Sequence, residues 1–117
     1  EWFLNWLEDN YQDDILNHKN YSQQWQTILE FVQSSGLYTD KALIDQTKGW
    51  ANENIADPWL VAIAKEDELI LVSDEARIPN LGKGSPVKAA KIPDICDRQG
   101  VRCVTRNEFF GEIGLLV

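Results

Sequence analysis

The run Leu69-Ile70-Leu71-Val72 is the feature that most constrains how this chain can fold. Its residues favour β-structure, and no polar residue alternates with them. A strand of this kind suits a parallel sheet that is covered on both faces. The polar residues Ser73, Asp74 and Glu75 follow directly, so the strand is predicted to end there. In parallel sheets, ligands gather beyond the carboxyl ends of strands.

Helical patterns surround this strand. Helices are predicted near residues 2–7, over 22–34, after Thr39, from 57, near 93–96 and from 105. The third is expected to point Ala42, Leu43, Ile44 and Trp50 inward. The last is expected to carry Phe109, Phe110, Ile113 and Leu116 on its apolar face. Asp57 is the expected N-cap of the fourth, with Pro58 as its first helical residue. Residues 76–90 are a predicted surface loop, and residues 101–104 a second short strand. This alternation predicts a parallel α/β architecture.

Length and composition predict a single domain over residues 1–117. Its apolar runs are shorter than the roughly 18 to 20 residues that cross a bilayer. The opening residues lack the basic start of a signal peptide. Two cysteines, Cys96 and Cys103, are too few for a disulfide scaffold, and they favour buried thiols in a reducing cytoplasm. The expectation is a cytoplasmic protein with no membrane partner.

The net charge of −8 opposes nucleic-acid binding by the molecule as a whole. A local basic patch is therefore needed for any such binding, and one candidate segment exists. Between residues 76 and 93 there are four bases and no acid: Arg77, Lys83, Lys88 and Lys91. This segment either holds a phosphate backbone or is a solvated loop whose lysines aid solubility.

The acids near the predicted strand end are candidate ligands for Mg²⁺ or Mn²⁺. Asp57, Asp74 and Glu75 supply the carboxylate oxygens that such hard cations prefer. A metal held there activates water and neutralises phosphate charge during phosphodiester hydrolysis. Each acid also has a simpler interpretation, because Asp57 is also a plain N-cap candidate and Asp74 and Glu75 also fit a solvated loop.

Three ordered motifs resemble a known superfamily. They are Ala-Asp-Pro-Trp-Leu-Val-Ala over residues 56–62, Val-Ser-Asp-Glu over 72–75 and Lys-Ile-Pro-Asp-Ile-Cys over 91–96. Residues 54–117 are similar to the C-terminal two thirds of a PIN-like domain, within a bacterial branch of unknown function. The resemblance implies a three-layer α/β/α fold with a short parallel sheet. It also implies a metal-dependent ribonuclease of the kind found in VapC-type toxins.

Carried over to this chain, the resemblance assigns catalytic roles to Asp57, Ser73 and Glu75. Asp57 and Glu75 would hold Mg²⁺ or Mn²⁺, and Asp74 between them is a further possible ligand. The superfamily's first acid, in an N-terminal strand, has no counterpart here, and Glu30 is a weak candidate for the second. Either an N-terminal strand is absent from this sequence, or the domain is degenerate and has lost half its site.

The resulting hypothesis is an endoribonuclease that acts as the toxin of a bacterial type II toxin–antitoxin pair. Its expected partners are an RNA substrate, a cognate antitoxin protein and a second copy of the chain in a homodimer. Two alternatives stay open. One is a PIN-like protein-interaction module without catalytic activity, and the other is a nuclease that acts on structured DNA.

Overall fold

The computed structural model describes residues 21–113, and the helix expected near residues 2–7 lies outside them. The described residues form a mixed α/β fold. Its elements in chain order are α1 (Ser22–Ser34), α2 (Lys41–Ile44), α3 (Ala56–Glu66), β1 (Leu71–Val72), α4 (Ile92–Gln99), β2 (Cys103–Val104) and α5 (Arg106–Glu112). The predicted parallel α/β architecture is therefore confirmed at this level.

The sheet consists of β1 and β2, which pair in parallel with Leu71 opposite Cys103. Both residues of β1 are buried, as predicted for a strand covered on two faces. The strand is shorter than predicted, because Leu69 and Ile70 are 37% and 40% exposed. These two residues follow the turn at 67–68, where Glu68 adopts a φ of 56°, and the Leu69 amide donates to the Ala64 carbonyl of α3.

Helix α3 lies at the centre of the molecule, and every residue from 58 to 64 is buried. It begins at Ala56, with Ile55 as its N-cap, so the prediction that Asp57 is the N-cap is wrong. Pro58 is the third helical residue rather than the first. Proline fits there because the amides of the first helical turn have no carbonyl partner within the helix.

Helix α1 packs along α3 through its apolar stripe. Ile28 and Val32 are buried, and the ring of Trp25 stacks on Trp59 of α3 with centroids 4.9 Å apart and planes 9° apart. The predicted helix over residues 22–34 is confirmed, and it ends just before Gly36, whose φ of 77° favours glycine.

Helix α2 is only four residues long. Ala42 and Trp50 are buried as predicted, but Ile44 is 70% exposed, so its predicted inward position is wrong. The helix stops because Asp45 adopts an extended conformation with ψ of 134°. The chain then turns back, and the Trp50 amide donates to the Ala42 carbonyl at 2.9 Å.

Helix α5 begins with the predicted capping box, in which Thr105 and Glu108 bond each other's backbone amides. Phe109 and Phe110 are half-buried. Ile113 is 53% exposed because it lies past the helix end at Glu112, so its predicted place on an apolar face is wrong. Leu116 lies outside the described residues. None of the helices within residues 21–113 is long and apolar enough to cross a membrane.

Candidate active site

A cleft of about 480 Å³ lies beside the carboxyl end of β1. Its walls come from four parts of the chain, namely the loop at 47–50, residues 54–57 at the start of α3, Glu75 after β1, and residues 89–91. Two acids, Asp57 and Glu75, line it together with two bases, Lys48 and Lys91. The structure therefore brings together two of the predicted metal ligands and one of the predicted RNA-binding residues.

Glu75 connects the end of β1 to the start of α4. Its Oε1 accepts a hydrogen bond of 2.8 Å from the amide of Ile92, the first residue of α4. This bond satisfies one of the helix's free amides and places a negative charge at the positive end of the helix dipole. This hydrogen bond involves only one of the two carboxylate oxygens, Oε1.

Ser73 fixes the backbone that carries Glu75. The side chain is 3% exposed, and its Oγ accepts a hydrogen bond of 3.1 Å from the Glu75 amide. The Ser73 amide donates to the Val104 carbonyl of the neighbouring strand at 2.9 Å. Ser73 therefore acts on the cleft through Glu75 rather than by lining it.

Asp57 occupies the second position of α3 and is half-buried at the cleft wall. The first turn of a helix stabilises a carboxylate through the helix dipole and the free amides. Two carboxylates from different elements thus line one cavity, and one or two carboxylates are the usual protein ligands of Mg²⁺.

Asp74 contacts the start of α5 instead of the cleft. Its Oδ1 accepts a hydrogen bond of 3.0 Å from the Arg106 amide at the start of α5, and Oδ2 lies 3.5 Å from Arg106 Nε. It does not line the cleft. Glu30 also lies elsewhere, in a groove between α1 and α2. Across residues 21–113, no cluster of three or more histidine, cysteine or acidic side chains is placed to hold a metal.

The predicted basic residues are separated in the structure. Arg77 makes a two-pronged ion pair with Asp97, with Nε and Nη2 at 2.8 and 2.9 Å from the carboxylate oxygens. This pairing lowers the pKa of Asp97 and raises that of Arg77. Lys83 and Lys88 are exposed on the loop and do not line the cleft, whereas Lys91 does.

The predicted loop over residues 76–90 is irregular, as expected, but it is attached at both ends. Near its start, the Ile78 amide donates to Oδ2 of the buried Asp94 at 3.0 Å. Near its end, Val87 exchanges backbone hydrogen bonds with Leu37 and Thr39, at 3.0 and 2.8 Å. These attachments determine where Lys91 enters the cleft.

Cys96 and Cys103 are free thiols. Cys96 of α4 is buried, as predicted, and Cys103 of β2 is half-buried. The hydrogen bond between them, together with burial, raises the pKa of the Cys96 thiol. They join α4 to the sheet and do not line the cleft.

Lys48 is the site residue that the sequence analysis missed. It lies nine residues before Asp57 in a segment with no recognised motif, and only the return of the chain at Trp50 brings it to the cleft. The signal available in the sequence was the turn-forming group Asp45 to Gly49, which predicts a tight loop but not what the loop faces.

Residues 2–115 match the model of a family described as a domain of unknown function (DUF4411). No curated protein matches the chain, and no solved structure does. The family's description states no activity, so the geometry of the cleft is the basis for a functional assignment.

Proposed function

Starting from the chain's membership of the DUF4411 family, we propose that it is a metal-dependent endoribonuclease whose active site is the cleft lined by Asp57 and Glu75. The observation that carries this proposal is their convergence. The two acids come from the start of α3 and the end of β1, and they line one cavity with two lysines.

The residues present fit Mg²⁺ or Mn²⁺ that is bound jointly with a substrate. Mg²⁺ is commonly held by one or two carboxylates, with waters and substrate phosphates filling its other positions. Asp57 and Glu75 supply that number of carboxylates. Such an ion, when bound, activates water and neutralises phosphate charge.

The protein's own groups then have separate roles. Asp57 and Glu75 hold the cation, and Glu75 is kept in place by the Ile92 amide. Ser73 positions Glu75 through its backbone. Lys91 lines the cleft, and its role in this proposal is the predicted one of attracting the phosphate backbone of the RNA.

The hypothesis of a PIN-like toxin, stated from the sequence, is part of this proposal. The PIN-like relationship, its three-layer arrangement and a role as the toxin of a toxin–antitoxin pair rest on the sequence motifs alone. An antitoxin and a second copy of the chain are the protein partners that this hypothesis predicts.

RNA cleavage by metal-supplemented protein tests the proposal. In Mn²⁺ or Mg²⁺, we expect Asp57→Asn to lower the cleavage rate by at least about 100-fold, as expected for the loss of a charge-stabilising group at a reaction centre. Asp40→Asn is the matched control, because Asp40 is exposed at the start of α2 and makes no side-chain capping bond. Asp74→Asn is expected to keep most activity, since Asp74 contacts Arg106 instead of the cleft.

Several outcomes would contradict the proposal. Equal cleavage by the wild type and Asp57→Asn would sink it. No cleavage together with no Mn²⁺ binding in calorimetry would favour the interaction module. Preferential cleavage of branched DNA over RNA would favour the nuclease of structured DNA.

A further inference from the structure

The segment Asp45 to Trp50 is built to hold one lysine at the cleft. Asp45 Oδ1 accepts three hydrogen bonds, from the Thr47 amide at 2.8 Å, the Thr47 hydroxyl at 2.8 Å and the Lys48 amide at 3.0 Å. The Thr47 amide and hydroxyl contribute most to lowering the pKa of Asp45. The carboxylate, ionised at neutral pH like any exposed aspartate, keeps the Lys48 backbone in place through these bonds.

Gly49 fixes the other side of Lys48. Its amide donates to the Asp45 carbonyl at 2.9 Å, and a Cβ at this position would collide with backbone atoms of Leu43 and Asp45. The next residue, Trp50, is 2% exposed and anchors the segment in the core. A backbone held on both sides reduces the entropy that the lysine loses when it binds a ligand.

The charges in the cleft also favour a role for Lys48. Two carboxylates and two lysines line it, so a divalent cation on Asp57 and Glu75 would give the lining a net positive charge. The ion pairs that Arg77, Arg102 and Arg106 form within residues 21–113 do not involve Lys48 or Lys91. Phosphates of a nucleic-acid backbone carry the charge that would balance them.

We propose that Lys48 positions the substrate by binding an RNA phosphate in the cleft that Asp57, Glu75 and Lys91 also line. This inference rests on the proposed function and adds to it a second lysine that binds the substrate. The bases of the cleft come from two segments, 45–50 and 89–91, so the RNA backbone lies between them.

Binding and kinetics of Lys48→Ala and Lys48→Arg test this inference. Lys41→Ala is the matched control, since Lys41 is an exposed lysine of α2 that does not line the cleft. The binding probe is a fluorescently labelled single-stranded RNA titrated in Ca²⁺, which supplies the divalent charge on the carboxylates, and a gel of the recovered RNA checks that it stays intact. One lost phosphate contact reduces the magnitude of the negative slope of log K against log salt by about 0.7 and weakens binding about fivefold at roughly 0.1 M salt.

We expect this change for Lys48→Ala, with KM raised more than kcat is lowered. Lys48→Arg should restore most of the affinity, and Lys41→Ala should match the wild type. If the wild type cleaves RNA but Lys48→Ala has an unchanged salt slope and KM, the positioning role is wrong while the proposed function stands. If the wild type neither binds nor cleaves RNA, both are wrong.

Discussion

Glu75 illustrates how one side chain serves both the fold and the candidate site. Its carboxylate accepts a hydrogen bond from the first amide of α4 and also lines the cleft. A capping interaction of this kind is worth about 1 kcal/mol. The amide oxygen of glutamine accepts the same hydrogen bond, whereas alanine does not.

Substitution of Glu75 should therefore separate stability from activity. We expect Glu75→Ala to lower the free energy of unfolding by about 1 kcal/mol, and Glu75→Gln to lower it by much less while still abolishing RNA cleavage. Urea denaturation of both variants, with cleavage measured in parallel, provides the comparison. A Glu75→Gln variant with full activity would show that its charge has no role in the reaction.

The acids also show how much of the site the sequence could predict. Asp57 and Glu75 stand beside the start of a buried helix and the end of a buried strand, positions that local pattern alone indicates. Asp74 also stands at the end of the buried strand, yet its carboxylate binds Arg106, 32 residues later in the chain. Arg77 likewise pairs with Asp97, 20 residues away. Such long-range partners leave no trace in local spacing.

At the scale of elements, the hydrophobic pattern predicts the long helices well, and it predicts the short helix and the strand ends poorly. Helices α1 and α3 follow their apolar residues closely because burial stabilises them along their length. Helix α2 and the strand ends depend instead on turns, such as the bend at Asp45 and the positive φ of Glu68. Turns of this kind are held by local hydrogen bonds and have no hydrophobic periodicity, so hydrophobic pattern alone wrongly predicts Ile44 inward and Leu69 within the strand.

The loop after α2 offers a prediction at this scale. Gly49→Ala introduces a Cβ against backbone atoms that cannot move aside, and overpacking of this kind costs about 1 to 3 kcal/mol. Gly84→Ala is the matched control, because a Cβ there meets nothing within 4 Å. Thermal unfolding followed by circular dichroism measures both. Equal stability of the two variants would contradict the fixed loop on which the role of Lys48 depends.

At the scale of the whole molecule, RNA binding by an acidic protein depends on where the fold brings its basic residues together. A net charge of −8 repels RNA, so binding must come from bases gathered locally. The sequence located such bases in one basic loop, whereas the structure gathers Lys48 and Lys91 from distant segments into one cleft. The core that includes Trp50 and Ala90, together with the backbone hydrogen bonds of Val87, holds those segments in place, so the proposed site depends on the stability of the whole fold.

That dependence leads to a prediction about cooperativity. Ile28 of α1 is fully buried against α3, and Ile44 of α2 is 70% exposed, so the two isoleucines differ chiefly in burial. We expect Ile28→Ala to lower the free energy of unfolding by about 2 to 5 kcal/mol, and Ile44→Ala to change it by less than about 0.5 kcal/mol. Because the buried tryptophans Trp50 and Trp59 belong to the same core, tryptophan fluorescence and circular dichroism should give coincident urea transitions in all three proteins. Two separate transitions would contradict the prediction of a single domain over residues 1–117.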